Sequence, residues 1–242
     1  KGPGYDFSLS KVSAHDRPSA LSTGYYTHLS SISIPQYNYA VGFQINERWG
    51  VTLGMDHMKY VMDDIQETHL VGVIDSSASP AWAGNWNGEE ITTNPDFVKF
   101  EHTDGLNYLV AGVRYSPISE NFQVVGFRNG IPKVYVRPFF GADIGMLIPR
   151  TDVRIFGYGL NNKFHLAGMG TSANIGAKAN FFCNYFIQAN IRGGYIVLPS
   201  VLIHNDAPDR AHQHFGFLET TVSVGFTLWE SKKKLRERSG SI

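Results

Sequence analysis

Apolar and polar residues alternate with period two through most of this chain, and that pattern dictates strands rather than helices. From 37 to 46, Tyr37, Tyr39, Val41, Phe43 and Ile45 alternate with Asn38, Ala40, Gly42, Gln44 and Asn46. Successive side chains of a strand point to opposite faces, so one face here is greasy and the other small and polar. Near the end of the chain, Leu218, Thr220, Val222, Val224, Phe226 and Leu228 oppose Glu219, Thr221, Ser223, Gly225 and Thr227. The same division recurs at 50–61, 105–116, 134–146, 168–181 and 187–197, with a weaker first strand at 4–14. The spacing predicts about eight strands, an even number, in one domain spanning 1–230 and followed by a basic tail, 231–242.

The links between these strands alternate in length. Short ones fall at 46–50 and 182–185, and long polar ones at 15–36, 62–104, 150–163 and 200–213. The link 117–131 is the exception, longer than a tight turn on the side where tight turns belong. Tight turns at one end and long loops at the other are the asymmetry of barrels in the bacterial outer membrane, with turns periplasmic and loops extracellular. An even strand number then places both termini in the periplasm.

A soluble ligand-binding barrel also alternates, with its apolar face inward. Three observations favour the inverted arrangement. Charges of both signs sit mid-strand on the polar face: Asp56, Arg114, Arg137, Asp143, Lys178, Arg192 and Glu219. In a closed lumen such charges pair, whereas an unpaired one is costly. That face is also rich in Gly, Ser, Ala and Asn, which leave room for long side chains in a narrow barrel. Tyr37, Tyr39, Trp49, Tyr115, Tyr185 and Trp229 fall near strand ends, where aromatic girdles form at membrane interfaces. The expected lipid face therefore runs through Tyr39, Val41, Phe43, Ile144, Ile191, Val224 and Phe226.

Composition agrees. Charged residues are 17% of the chain, with Phe 16, Tyr 12 and Gly 25, against a usual charged share of about a quarter. Lys+Arg and Asp+Glu balance at 21 each, so no global field draws nucleic acid. No segment approaches the roughly 20 apolar residues of a spanning helix, and a mean hydropathy of −0.17 hides strands whose apolar residues come at every second position. A start at Lys1-Gly2-Pro3-Gly4 without Met fits a mature, processed chain. The lone Cys183 excludes an internal disulfide and a cysteine metal cluster.

The pattern resembles the small eight-stranded outer-membrane barrels of the OmpA and OmpW type. The closing strand Val222-Ser223-Val224-Gly225-Phe226-Thr227-Leu228-Trp229 is similar to the C-terminal signal that the barrel-insertion machinery recognises, although this chain continues past Trp229. Gly141-Ala142-Asp143-Ile144-Gly145 and Gly193-Gly194-Tyr195 are similar to segments of barrels of Bacteroidota. The resemblance implies an eight-stranded antiparallel transmembrane β-barrel with long extracellular loops, bathed in lipopolysaccharide and phospholipid.

No catalytic, cofactor-binding or metal site is expected. Lipid-modifying barrels need a hydroxyl activated by an imidazole that a carboxylate orients. His57 follows Asp56 and His102 follows Glu101, but the His-x-Ser-Asn string of outer-membrane deacylases is absent from the sequence. His212 and His214 share a strand face, with His204, Asp206 and Asp209 nearby, but zinc needs three or four convergent ligands, and in a chain with this many loop acids and histidines such neighbours are expected without a metal. A lumen of paired charges plugs a narrow barrel and excludes a wide pore. The remaining candidates are surfaces for other outer-membrane or periplasmic proteins: Phe122, Val124 and Phe127 in the 117–131 insert, and Lys232, Lys233, Lys234 and Arg236 in the tail. The expected function is that of a non-enzymatic structural or accessory subunit of an outer-membrane complex. The alternatives are an outer-leaflet lipid hydrolase and a lateral conduit for small apolar molecules.

Overall fold

A computed structural model of the chain describes residues 1–17, 37–102, 104–118, 122–125, 134–181, 184–204 and 209–228, with only the backbone at 122–125. It is all-β, three antiparallel sheets with no helix among these residues. In chain order the strands are β1 (Tyr5–Ser10), β2 (Ala14–His15), β3 (Asn38–Gln44), β4 (Trp49–Met58), β5 (Val61–Met62), β6 (Glu67–Ile74), β7 (Gly84–Thr92) and β8 (Val98–Glu101). They continue with β9 (Leu106–Tyr115), β10 (Phe122–Val125), β11 (Val134–Pro149), β12 (Asp152–Ile155), β13 (Tyr158–Asn161), β14 (Gly168–Phe181), β15 (Tyr185–Leu202) and β16 (Arg210–Phe226).

The long strands form one sheet in the order β16-β15-β14-β11-β9-β4-β3. The period-two segments found in the sequence are these strands. Their register turns the predicted apolar set to one side: Val41 is 73% exposed, Ile144 59%, Ile191 49% and Val224 80%. The opposite set lies inside a strong curl, tight enough that Arg192 on β15 meets Asp56 on β4, four positions along the sheet. Ser223 Oγ on β16 donates to Asn38 Oδ1 on β3 at 2.8 Å, yet no backbone ladder joins those two strands among the described residues.

Three expectations are corrected. Residues 4–14 do form a strand, but β1 pairs with β6, from Tyr5↔Ile74 to Ser10↔His69, outside the long-stranded sheet. The reason lies in its partner: Tyr5, Phe7 and Leu9 bury against Phe97 and Phe156. The 62–104 and 150–163 stretches are not irregular loops, since β5 to β8, β12 and β13 fold there. With β1 and β2 they make two small sheets, ordered β1-β6-β7 and β13-β12-β8-β5-β2, that cap one end of the long strands. Lys1 is not on the side of the short turns either. Lys1 lies against Arg210, at the cap end of β16, whereas the described chain ends beyond Phe226 at the turn end.

The insert at 117–131 also has an internal order. β10 pairs with β11 at Phe122↔Val136 and Gln123↔Tyr135, on the side of β11 that β9 occupies from Phe140 onward. It therefore prolongs the line of β9 after a break. Phe127, Trp229 and the tail residues Lys232, Lys233, Lys234 and Arg236 lie outside the described residues, as do the side chains of Phe122 and Val124.

The main core is not midway along the curl. Leu106, Tyr108, Leu147, Ile196 and Leu198, inward at the cap end of the long strands, form one cluster with Leu70, Ile74, Phe97, Phe100 and Val153 of the cap. The inner face, expected to be polar throughout, is thus apolar in its upper part and merges with the cap's own core.

Candidate functional site

Below that core the inner face carries a buried charge cluster. Register places its members before any side chain chooses a rotamer: Asp143 lies opposite Gly112 and Ser172, Arg114 opposite Gly141, and Arg192 opposite Asn174 and Glu219. Arg114 Nη1 donates to Asp143 Oδ1 at 2.6 Å, and Asn174 Nδ2 to Asp143 Oδ2 at 2.6 Å. Arg192 Nε lies 3.5 Å from Asp143 Oδ2, while its Nη1 donates to Glu219 Oε1 at 2.8 Å and to Asp56 Oδ2. Two guanidiniums thus hold three carboxylates, and the two acids on Arg192 Nη1 come from opposite ends of the sheet order. Charge-assisted contacts of this kind are the strong ones, and here they tie non-neighbouring strands together.

Two glycines make the cluster possible. A Cβ on Gly112 would stand 1.9 Å from Asp143 Oδ1, and one on Gly141 would stand 2.6 Å from both Arg114 Nη1 and Asn174 Oδ1. Their role follows from steric room alone, and only the pairing register reveals it. Gly112→Ala is accordingly expected to shift the urea unfolding midpoint downward by the equivalent of about 2 kcal/mol, since the Asp143 carboxylate it would meet is held in place by Arg114 and Asn174.

Of the seven predicted inward charges, the structure brings together Asp56, Arg114, Asp143, Arg192 and Glu219. Arg137 and Lys178 sit apart, facing one another lower on β11 and β14. Lys178 Nζ lies 3.7 Å from the ring centre of Phe186, and Arg137 is half-buried with no hydrogen bond to Nε or Nη2 among the described residues. Register puts all seven on strand positions of one parity, but a strand period carries no information about height along the curl.

Beside the cluster, between the cap end of β3–β4 and β16, lies a cavity of about 690 Å³. Asp56 and Glu219 reach it from below, Tyr60, Leu106 and Phe215 wall it, and His15 borders it from the cap.

The histidines do not assemble a nucleophile. His57 Nδ1 lies 2.7 Å from Asn107 Oδ1, and its ring stacks on Tyr37 at 4.9 Å. His102 sits in a chain with Thr151 Oγ1 at 2.7 Å from Nδ1 and Gln213 Oε1 at 3.0 Å from Nε2. The amide oxygen only accepts, so Nε2 carries the proton and Thr151 donates to Nδ1. That hydroxyl–imidazole–amide order resembles a relay, but His102 and Thr151 are both 0% exposed, and no substrate reaches the hydroxyl. His214 Nδ1 meets Tyr195 Oη at 2.8 Å on the exposed face. Among the described residues no three His, Cys, Asp or Glu side chains converge as metal ligands; Asp206 and Cys183 lie outside them.

Burial holds the His102 imidazole down to about 4. The free side chain titrates near 6.5, so between about 6.5 and about 4 the unfolded chain takes up a proton that the folded cap refuses. Cap stability is therefore complete above about pH 6.5 and falls through that window by about 3 kcal/mol. Protease resistance of 62–104, followed against pH, should show this slope, and His102→Gln should flatten it.

Comparisons with protein families, with curated proteins and with solved structures find no match to this chain.

Proposed function

We propose that this chain is a non-enzymatic barrel of the bacterial outer membrane, eight-stranded and antiparallel, that holds a folded cap above the outer leaflet and serves as a structural or accessory subunit there. The observation that carries this is the division of faces. Outward apolar side chains continue around the wall on every long strand, through Val41, Leu53, Val113, Ile144, Ile175, Ile191 and Val224, all of them at least 46% exposed. An apolar surface of that extent is an aggregation hazard in water and is at rest in hydrocarbon. The carboxylates and guanidiniums of the inner cluster, Asp56, Arg114, Asp143, Arg192 and Glu219, are paired, which is the condition for keeping them away from water.

The role as a subunit is supported by the cap. Ile65, Tyr158 and Leu166 are 73%, 75% and 61% exposed there, and Val71 and Val73 stand out from β6. Exposed apolar groups beyond the lipid-facing band mark a surface for another protein. A hydrolase is disfavoured by the inaccessible Thr151–His102 pair, and a conduit by the charged cluster across the interior.

Expression in a Gram-negative host tests the reading. The protein should stay in the membrane pellet after alkaline carbonate extraction, with the cap cleavable by protease on intact cells. Release into the soluble fraction would end the membrane reading. Ile191→Lys, on the outward face, should lower folding stability in bilayers by about 2–4 kcal/mol if it lies near the midplane. Mass spectrometry of natively purified complexes checks the subunit role, and purification as a lone protein argues against it. Labelled phospholipid or lipid A incubated with purified protein should release no acyl chain; release abolished by His57→Ala or His102→Ala would restore the hydrolase.

A further inference from the structure

The outward column of β16 changes character along its length. Leu218, Thr220, Val222, Val224 and Phe226 belong to the apolar band, whereas Arg210, His212 and His214 continue the same column toward the cap. The parity of this upper part is fixed from behind. Gln213 turns inward and meets His102 at 3.0 Å, and Phe215 packs on Tyr60 at 4.9 Å between ring centres. His212 and His214, one residue off, therefore stand exposed on the outer side.

The height of the change matches a lipid boundary. Phe226 pairs with Tyr185 at the turn end, where the lower aromatic girdle falls. From Phe226 to His214 the strand runs about 40 Å at about 3.3 Å per residue, which is about 30 Å along the membrane normal at a tilt of about 40°. The apolar band of such a wall is about 25 Å tall, so His214 stands just above it, with His212 and Arg210 higher. Tyr195 Oη on β15 meets His214 Nδ1 at 2.8 Å, a phenol at the level of the upper girdle. The acids beside this column are engaged. Asp6 on β1, which acts electrostatically on His212, holds the Lys1 ammonium at 2.7 Å, and Asp209 Oδ2 lies 3.4 Å from His204 Nδ1.

We propose that Arg210, His212 and His214 bind the headgroup phosphate of a lipopolysaccharide in the outer leaflet, whose acyl chains lie along Leu218 and Val222 below. Residues two apart on a strand stand about 7 Å from each other, a span that one phosphate bridges with a hydrogen bond on either side. Guanidinium and imidazole N–H groups donate to it, and such charge-assisted bonds are the strong ones. Tyr195 engages Nδ1 of His214, which leaves Nε2 for the phosphate. The anion in turn favours the protonated imidazoles.

The site rests on the membrane placement proposed above, and its test separates the two. The full chain is folded into phosphatidylcholine nanodiscs carrying lipid A, lipid A stripped of phosphate, or phosphatidylglycerol, and the lipid retained through detergent exchange is counted by native mass spectrometry. Lipid A should be retained well above the other two. His212→Gln and His214→Gln should each lower its retention by about tenfold, the order of one charge-assisted hydrogen bond, while the folded band in heat-modifiable electrophoresis stays unchanged, since both side chains point outward. Imidazole signals of His212 and His214, followed by NMR after histidine labelling, should move with lipid A and stay in place with the stripped lipid. Equal retention of lipid A and its phosphate-free form, equal retention of phosphatidylglycerol, or wild-type retention by both variants in discs would overturn the site alone. A chain that does not enter the discs would overturn the membrane reading and the site with it.

Discussion

Arg192→Met is expected to lower stability by about 3–5 kcal/mol, because it removes one partner of a buried ionic group and leaves the others without compensation. Arg192 is 8% exposed, and its guanidinium is shared by Asp56, Asp143 and Glu219. Without it, Arg114 alone faces three carboxylates on the inner face. The urea midpoint of the folded band, followed by heat-modifiable mobility in detergent, measures the loss. Adding Asp56→Asn and Glu219→Gln to Arg192→Met should restore a large part of it, since the uncompensated charges are then gone. If the triple variant is no better than the single one, the cost lies in lost packing rather than in charge. Lys178→Met is the comparison outside the cluster: its ammonium lies 3.7 Å from the centre of the Phe186 ring, and a smaller loss than that of Arg192→Met is expected, about 1 kcal/mol.

Phe97→Ala is expected to cost about 3–5 kcal/mol, and to cost it in the cap. Phe97 is fully buried and packs its ring on Trp82 at 4.2 Å, Phe7 at 5.4 Å and Phe156 at 5.8 Å between centres. These rings come from four separate segments, β1, the stretch before β7, the turn before β8 and the end of β12. The cavity left by the ring therefore loosens both cap sheets together. Limited proteolysis should show rapid cleavage in 62–104 while the fragment carrying β14 to β16 stays intact. Simultaneous loss of both would mean that cap and wall unfold as one unit, which the shared cluster of Leu70 with Leu106, Leu147 and Ile196 makes physically reasonable for larger truncations.

These two sites differ in how far the sequence announces them. Arg192 was legible as an inward residue because its neighbours Ile191 and Gly193 fix the parity of β15. Its partners were not, since Asp56 is 136 residues away and only the curl of the sheet brings it near. Phe97 carried no signal, because its strands are too short and too interrupted for a period to show. β1 shows the same limit from the other side: Tyr5, Phe7 and Leu9 alternate as a wall strand would, but their apolar face is buried in the cap rather than turned outward. The partner surfaces expected at Phe122, Val124, Phe127 and the basic tail lie outside the described side chains, and the apolar cap surface is a further candidate beside them.

What the sequence by itself determined is the parity of each long strand. A strand has two faces, and a one-residue slip exchanges them, so Val41, Ile144, Ile191 and Val224 had no alternative to one face, nor Asp143 and Arg192 to the other. Which side was to be covered also followed, because charges of both signs need partners that an apolar face does not offer. The tertiary structure alone decided height and neighbourhood: that Arg137 and Lys178 stay below the cluster, that Gly112 and Gly141 open room for it, that 62–104 folds into sheets, and that Ser223 on β16 reaches Asn38 on β3. Those depend on the shear and curl of the whole sheet, which arise from contacts between residues far apart in the chain, and no local period records them.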